Sequence, residues 1–278
     1  MNEESAGPLE DRDGEPPASG EICEIANGQF SRQQPIALSP ALWNDREAPA
    51  FELKFQLFLE HARAIAHWAA EHLQLDPHAD PARGNGYLVH GLYFDTPTLD
   101  VFHRTPGYKK RKFRLRRYGD SAAVFLEQKR KSAGKVSKRR VQIAEMDLER
   151  LRDIPSDIDW TGHWFHRRIA RRLLQPSCCI TYERQAYFGH HADGPLRLTL
   201  DRNVRSRPAD YWNVAPVLDG PVMLPDRVLL ELKYRRTLPA PFKVLMQDFS
   251  LTPGPMSKYR LAVETSGRAA ANGRQAHG

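Results

Sequence analysis

Basic and apolar residues alternate with period two along Lys112-Phe113-Arg114-Leu115-Arg116-Arg117-Tyr118-Gly119. On an extended strand Lys112, Arg114 and Arg116 share one face, and Phe113 and Leu115 the other. Brought together in a cavity, such cations hold phosphate, Arg through bidentate hydrogen bonds and Lys as a point charge. One strand of this kind usually turns its charges to water. Here the pattern recurs. Glu52, Lys54 and Gln56 alternate with Leu53, Phe55 and Leu57; Glu127, Lys129 and Lys131 follow Phe125 at every second position; Lys138 and Arg140 lead to Gln142. Near the C-terminus Arg227, Glu231, Lys233 and Arg235 oppose Val228, Leu230, Leu232 and Tyr234. Strands of this composition line a polar, mostly cationic interior if their sheet closes on itself. The natural occupant of such an interior is a polyanion.

Short strands and a few helices must position these residues. Helical spacing of apolar residues runs from about Leu59 to Leu73 and stops at Asp76-Pro77. A strand is expected over Tyr87 to Phe94, followed by a short helix through Phe102 that Thr96 caps, with Pro97 at its first position. Gly119-Asp120-Ser121 and Ser132-Ala133-Gly134 are hairpin signals that join the strands at 112–118, 123–131 and 138–142. A basic amphipathic helix from about Gly162 to Leu174 precedes strands near 179–188, 196–201 and 228–234, and a helix from about Pro241 to Phe249 follows. The tally is about eight strands with peripheral helices, an α+β pattern built around an antiparallel sheet.

The chain of 278 residues, 41% hydrophobic, can bury a sizeable core in one domain. Residues 1–45 and 266–278 lack hydrophobic periodicity and are expected to be disordered tails around a domain over 46–265. A net charge of +7 favours an anionic partner. The cysteines, at 23, 178 and 179, build no disulfide framework, which suits a reducing compartment. The acidic start Met1-Asn2-Glu3-Glu4 predicts no secretory leader, and no apolar run is long enough to span a bilayer. A cytoplasmic location is the expectation. His163 and His166 flank Trp164 without the further ligands of a zinc site.

Glu52-Leu53-Lys54-Phe55, Tyr93-Phe94-Asp95-Thr96, Arg114-Leu115-Arg116-Arg117-Tyr118-Gly119, Phe125-Leu126-Glu127-Gln128-Lys129, Tyr182-Glu183-Arg184, Arg197-Leu198-Thr199-Leu200-Asp201, Leu230-Glu231-Leu232-Lys233-Tyr234 and Ser257-Lys258-Tyr259 follow one another along the chain. In that order they resemble the VTC (vacuolar transporter chaperone) domains, polyphosphate polymerases of the triphosphate tunnel, or CYTH-like, superfamily. The resemblance implies an antiparallel eight-stranded β-barrel tunnel with peripheral helices. It implies that ATP and inorganic polyphosphate are the partners, and that the γ-phosphate of ATP is added to a growing polyphosphate chain with release of ADP. Lys54, Arg114, Arg116, Lys129, Arg184, Arg197 and Lys258 are the implied catalytic contacts to the phosphate chain, and Lys138 and Lys233 join Lys54, Arg114, Arg116, Lys129 and Lys258 in holding the nucleotide. Glu231 is the implied ligand for Mn²⁺ or Mg²⁺, with Glu52 as the second candidate; hard cations of this kind take carboxylate, water and phosphate oxygens.

Hydrolytic members of the superfamily typically open with a Glu-x-Glu-x-Lys strand, whereas alignment on Lys54 puts Glu52 at the second acidic position and Ala50 at the first. Water must lose a proton to attack, but a terminal polyphosphate oxygen is already an anionic nucleophile. The missing carboxylate therefore weighs against a triphosphatase, the first alternative. The second alternative is a non-catalytic polyanion or nucleic-acid binding module, suggested by the runs Lys109-Lys110-Arg111-Lys112 and Lys138-Arg139-Arg140. No specific nucleic acid is expected, because the residues alternating with the charge are largely Leu, Val and Phe placed to pack against helices rather than to stack on bases. Any link to a membrane would need a separate protein.

Overall fold

The structure, a computed structural model, describes residues 49–192 and 194–268. The tail expected over 1–45 lies outside the described residues, as does the C-terminal tail beyond residue 268. Strands β1 (Phe51–Phe58), β2 (Gln74–Leu75), β3 (Tyr87–Asp95), β4 (Arg111–Tyr118), β5 (Ala123–Ser132), β6 (Lys135–Ala144), β7 (Gln175–His191), β8 (Gly194–Pro208) and β9 (Arg227–Tyr234) form one antiparallel sheet. Around it lie α1 (Leu59–His72), α2 (Asp100–His103), α3 (His163–Ala170), α4 (Ala240–Asp248) and α5 (Lys258–Thr265). Strand order is β1-β9-β8-β7-β3-β4-β5-β6, with the two-residue β2 pairing β7 outside that path. The sheet curls until its edges meet. Ala50, just before β1, bridges Val136 of β6 through N–H···O bonds of 3.0 and 2.7 Å, one in each direction. The α+β antiparallel tunnel architecture expected from the sequence is therefore present, as a curled half-barrel whose edges are joined by an isolated bridge.

The period-two alternation sorts the side chains. Odd positions of β1 and even positions of β8 and β9 turn outward, where Phe55, Leu57, Leu198, Leu200, Leu230 and Leu232 pack with Ala62, Ile65 and Ala69 of α1 and Phe242 and Leu245 of α4. Phe113, Leu115 and Leu126 pack on Phe165 and Ile169 of α3 in a second cluster. Each buried Leu, Ile or Phe among them contributes about 1.5–3 kcal/mol. The hydrophobic cores thus lie outside the barrel wall, beneath the helices, and the opposite face is left for charge.

Local chemistry explains most boundaries. Ala133 and Gly134, with φ of 47° and 76°, form the tight β5–β6 turn that needs left-handed backbone at both positions. The helix expected over 97–102 instead spans Asp100–His103. Thr96 does accept from the Asp100 N–H at 3.0 Å, but Pro97 lies in the turn ahead of the helix. The deciding residue is the fully buried Asp95, whose carboxylate accepts from the backbone N–H groups of Val101 and Phe102 at 2.8 and 3.0 Å. It also accepts from the Tyr259 hydroxyl of α5. Helix α5 has no periodic signal, being two turns long behind Pro253 and Pro255; Ser257 caps it by accepting from the Arg260 N–H. Cys178 and Cys179 are free and buried.

Candidate active site

Every residue predicted for the site lines one cavity of about 1010 Å³ enclosed by the curled sheet: Glu52, Lys54, Arg114, Arg116, Lys129, Lys138, Arg184, Arg197, Glu231, Lys233 and Lys258. Strand register builds it. Cross-strand neighbours sit about 4.5–5.5 Å apart, and the ladder sets Lys54 opposite Glu231, Glu52 opposite Lys233, Arg114 opposite Glu127 and Arg184 opposite Asp201. α5 adds Lys258 from outside the sheet.

Two buried clamps result. Glu127, fully buried, accepts from Arg114 at 2.6–2.7 Å and lies 3.5 Å from Lys138 and 3.6 Å from Arg140. Asp201, also fully buried, takes two bonds from Arg184 at 2.6 and 2.7 Å and pairs with Lys258 at 2.5 Å. A third cluster surrounds the predicted metal ligands. Glu231 pairs with Lys54 at 3.1 Å and Lys258 at 3.5 Å, rather than with its strand neighbour Lys233; Glu52 lies 3.6–3.7 Å from Lys54, Lys129 and Lys233. Arg197 is nearest Asp76, at 3.8 Å, with its guanidinium over the Phe188 ring. Arg117, on the outward face of β4, pairs with Glu145 instead.

Arg116 differs from Arg114. Its guanidinium donates to the Tyr182 hydroxyl at 2.8 Å, and its Nε, like that of Arg197, is buried without a protein acceptor. Buried donors are rarely left unmet, so both groups retain capacity for a further acceptor.

The electrostatics follow from burial and from these neighbours. Burial opposes ionisation of Glu231, but Lys54, Lys258, Lys233 and Lys129 outweigh it and hold the carboxyl well below its usual range. Glu52 is likewise brought to about 2, burial being overcome mainly by Lys129 and Lys54. Lys112 behaves oppositely. It faces Lys129, which faces Lys138, so three lysines stand in a row across β4, β5 and β6; Glu52 and Glu127 pair with the second and third, and Lys112 has no ion-pair partner among the described residues. Burial, and then Lys54, pull its ammonium down to about 7, and its neighbour is the Ser257 hydroxyl at 2.6 Å. Tyr118 resists ionisation through burial, yet Arg116 and then Arg140 and Lys138 draw its phenol down to about 7.

Lys112, Tyr93, Tyr118 and Tyr182 were not predicted as site residues. Lys112 carried its signal in the alternation itself; the tyrosines did not, because their hydroxyls matter through register. Tyr93, paired with Arg114 on the ladder, accepts from it at 2.9 Å.

A family model, the VTC domain, matches residues 50–266. The chain belongs to the VTC domain family. Among solved structures, this VTC domain is similar to a Hippeastrum protein named as an adenylyl cyclase with a dominant triphosphatase activity, at 16% identity over 79% of this chain and 96% of that one, with a TM-score of 0.44. A Bacillus halodurans protein named as an adenylate cyclase matches at 14% identity over 76% and 94%, with a TM-score of 0.45. A Pyrococcus furiosus protein gives 12% over 76% and 99%, with a TM-score of 0.43. Curated proteins give no match.

No group of three His, Cys, Asp or Glu side chains among the described residues of the VTC domain could cage a metal by itself. The set still fits a hard cation held jointly with substrate. Glu231 and Glu52 are ionised carboxylates on the cavity wall, and the buried Glu52 Oε1 has no donor within hydrogen-bond reach, its nearest ammonium groups being Lys233 and Lys129 at 3.6 and 3.7 Å. One or two carboxylates plus phosphate oxygens is the usual way Mg²⁺ binds at phosphoryl-transfer centres. No described helix is long and apolar enough to cross a membrane.

Proposed function

We propose that this VTC domain is a polyphosphate polymerase that transfers the γ-phosphoryl group of ATP to the end of an inorganic polyphosphate chain. The reading rests on a cavity crowded with cations, in which Glu52 and Glu231 on the wall and Glu127 and Asp201 buried behind it are already ion-paired to lysine or arginine. Glu52, Glu127, Asp201 and Glu231 are all shifted below their ordinary values, in each case because cations overcome the effect of burial. General bases work best with a pKa near the operating pH. Hydrolysis asks for such a base, and transfer to an oxygen that is already anionic does not. Ala50, at the position where tunnel hydrolases carry their first acid, is buried in its bridge to Val136.

In the transfer, a terminal oxygen of the polyphosphate forms a bond to the γ-phosphorus as the bond from that phosphorus to the β-bridging oxygen breaks. ADP leaves with the electron pair. The transition state spreads charge over the equatorial oxygens, so catalysis is mainly positioning and charge stabilisation. Arg114, held rigid by Glu127, and Arg116, with its unmet Nε, grip those oxygens. Lys54, Lys129, Lys138, Arg197, Lys233 and Lys258 hold the flanking phosphates, while Arg184 fixes Asp201 and through it Lys258. A Mn²⁺ or Mg²⁺ ion at Glu231, with Glu52 beside it, supplies further neutralisation of phosphate charge when bound.

A triphosphatase keeps one observation in its favour, since Lys112 and Tyr118 titrate near neutrality and could take a proton from water. Bound polyphosphate pushes both pKa values up, keeps both protonated and removes that capacity. Product analysis decides. Incubation with ATP and Mn²⁺ is expected to yield ADP and long-chain polyphosphate. Orthophosphate as the product overturns the reading in favour of the triphosphatase, and no turnover leaves a binding module.

A further inference from the structure

The basic runs at 109–112 and 138–140 do not lie wholly inside the cavity. Period-two alternation sends Lys112, Lys138 and Arg140 inward and turns Arg111 and Arg139 out, where Arg130 of β5 joins them. Arg111 and Arg130 are directly opposite on the ladder. Like charges placed so are destabilising. α3 packs over this face and adds Arg167 and Arg168, with Arg172 just beyond its end. None of these arginines is ion-paired to a carboxylate among the described residues. Aromatic rings and backbone oxygens brace them: Arg139 and Arg168 stack 4.2 and 5.5 Å from the Trp164 ring, and Arg172 lies 5.7 Å from Tyr108. Arg111 donates to the Gly107 carbonyl at 3.1 Å. Mutual repulsion is felt. Burial and then Arg172 lower the pKa of Arg111, and burial and then Arg139 lower that of Arg168. Arg111 and Arg130 also border the cavity, so the outer arginine face adjoins the cavity at its rim.

We infer that the arginine face of β4, β5, β6 and α3 is a second polyanion site, a track on which the polyphosphate chain lies after it leaves the cavity. The choice of ligand rests on the polymerase reading. It is favoured because the patch adjoins the cavity at its rim and because a chain longer than the cavity must continue onto some surface. Pre-braced guanidinium groups at spaced intervals suit a flexible, repeating phosphate backbone. The track would hold the product close between additions and so set how long the chain grows.

The full chain carrying Arg139→Gln, Arg167→Gln and Arg168→Gln together tests this. Affinities for tripolyphosphate, which the cavity can hold alone, and for long-chain polyphosphate are measured at several salt concentrations. The variant is expected to bind long-chain polyphosphate about tenfold more weakly, with a salt slope shallower by about one for each arginine that no longer meets a phosphate. Tripolyphosphate affinity stays unchanged, which also shows that the variant folds. Equal losses for both ligands, or no loss for either, overturn the inference. Co-sedimentation with phosphatidylserine vesicles is measured in parallel, and a loss confined to the vesicles also overturns the inference, making the face a membrane-binding surface. ATP turnover by the unmodified chain is scored separately. Selective loss of long-chain binding without any polymer synthesis supports the track and ends the polymerase reading.

Discussion

The alternation treats Arg114 and Arg116 alike, but their surroundings separate them. Arg114 is half of a buried ion pair, and removing one partner of such a pair typically costs about 3–5 kcal/mol, because the other charge is left uncompensated. Glu127 keeps Lys138 and Arg140 nearby, so Arg114→Ala is expected to fall at or below the lower end of that range. Arg116 leans on tyrosine hydroxyls, and Arg116→Gln is expected to change stability by about 1 kcal/mol or less while lowering turnover on the order of a hundredfold. Urea unfolding alongside the polymer assay checks both, and equal effects of the two variants on stability would refute the distinction. Lys112 gives a second prediction. Its ammonium is charged below about 7 and neutral above, and Tyr118 is neutral below about 7 and anionic above. The first change removes a positive charge from the cavity as pH rises and the second adds a negative one. Tripolyphosphate affinity should therefore weaken from pH 6 to pH 8, and less so in Lys112→Arg, whose charge persists; calorimetric titration of the two proteins side by side measures the difference. The inward set was legible because period two is local information. The pairing was not, since Lys54 and Glu231 are 177 positions apart and meet through register alone.

Among the elements, α5 was hidden from sequence reasoning, yet it delivers Lys258 to Asp201 and Glu231. It is short and polar, and tertiary packing rather than periodicity holds it in place. Asp95 is the main fastener, serving α2 through backbone N–H groups and α5 through Tyr259. Asp95→Ala should cost about 2–4 kcal/mol by leaving several buried donors unmet, and should weaken tripolyphosphate binding by freeing Lys258. Asp95→Asn, which retains one carbonyl acceptor, should recover part of the stability. Thermal unfolding and binding measured on both variants check this, and full binding by Asp95→Ala would disprove the link. The strands and the longer α1 and α4 were legible because apolar spacing and turn residues agreed. The start of α2 was not, because Thr96-Pro97 offers a plausible cap that the Asp95 carboxylate supersedes from one residue earlier.

At the scale of the molecule, the sheet is a wall with apolar packing outside and charge within, and the fold class could be read from the sequence because β1, β4, β5, β6 and β9 repeat that division. What no single strand revealed is how the circle closes. Along the wall, neighbouring strands share full ladders, from β7 with β8 to β4 with β5; between the two edges stands the bridge from Ala50 to Val136. Opening a ladder breaks many hydrogen bonds at once, whereas parting the edges breaks a pair, so local opening should cost least there. Native-state hydrogen exchange is expected to report early exchange at the Ala50 and Val136 amides and slow exchange at Leu198 and Leu200 in β8. Uniform protection around the ring would refute this. The consequence is topological. A long molecule threaded through an unbroken ring can leave only end first, whereas one held inside a clasp can also be let out sideways.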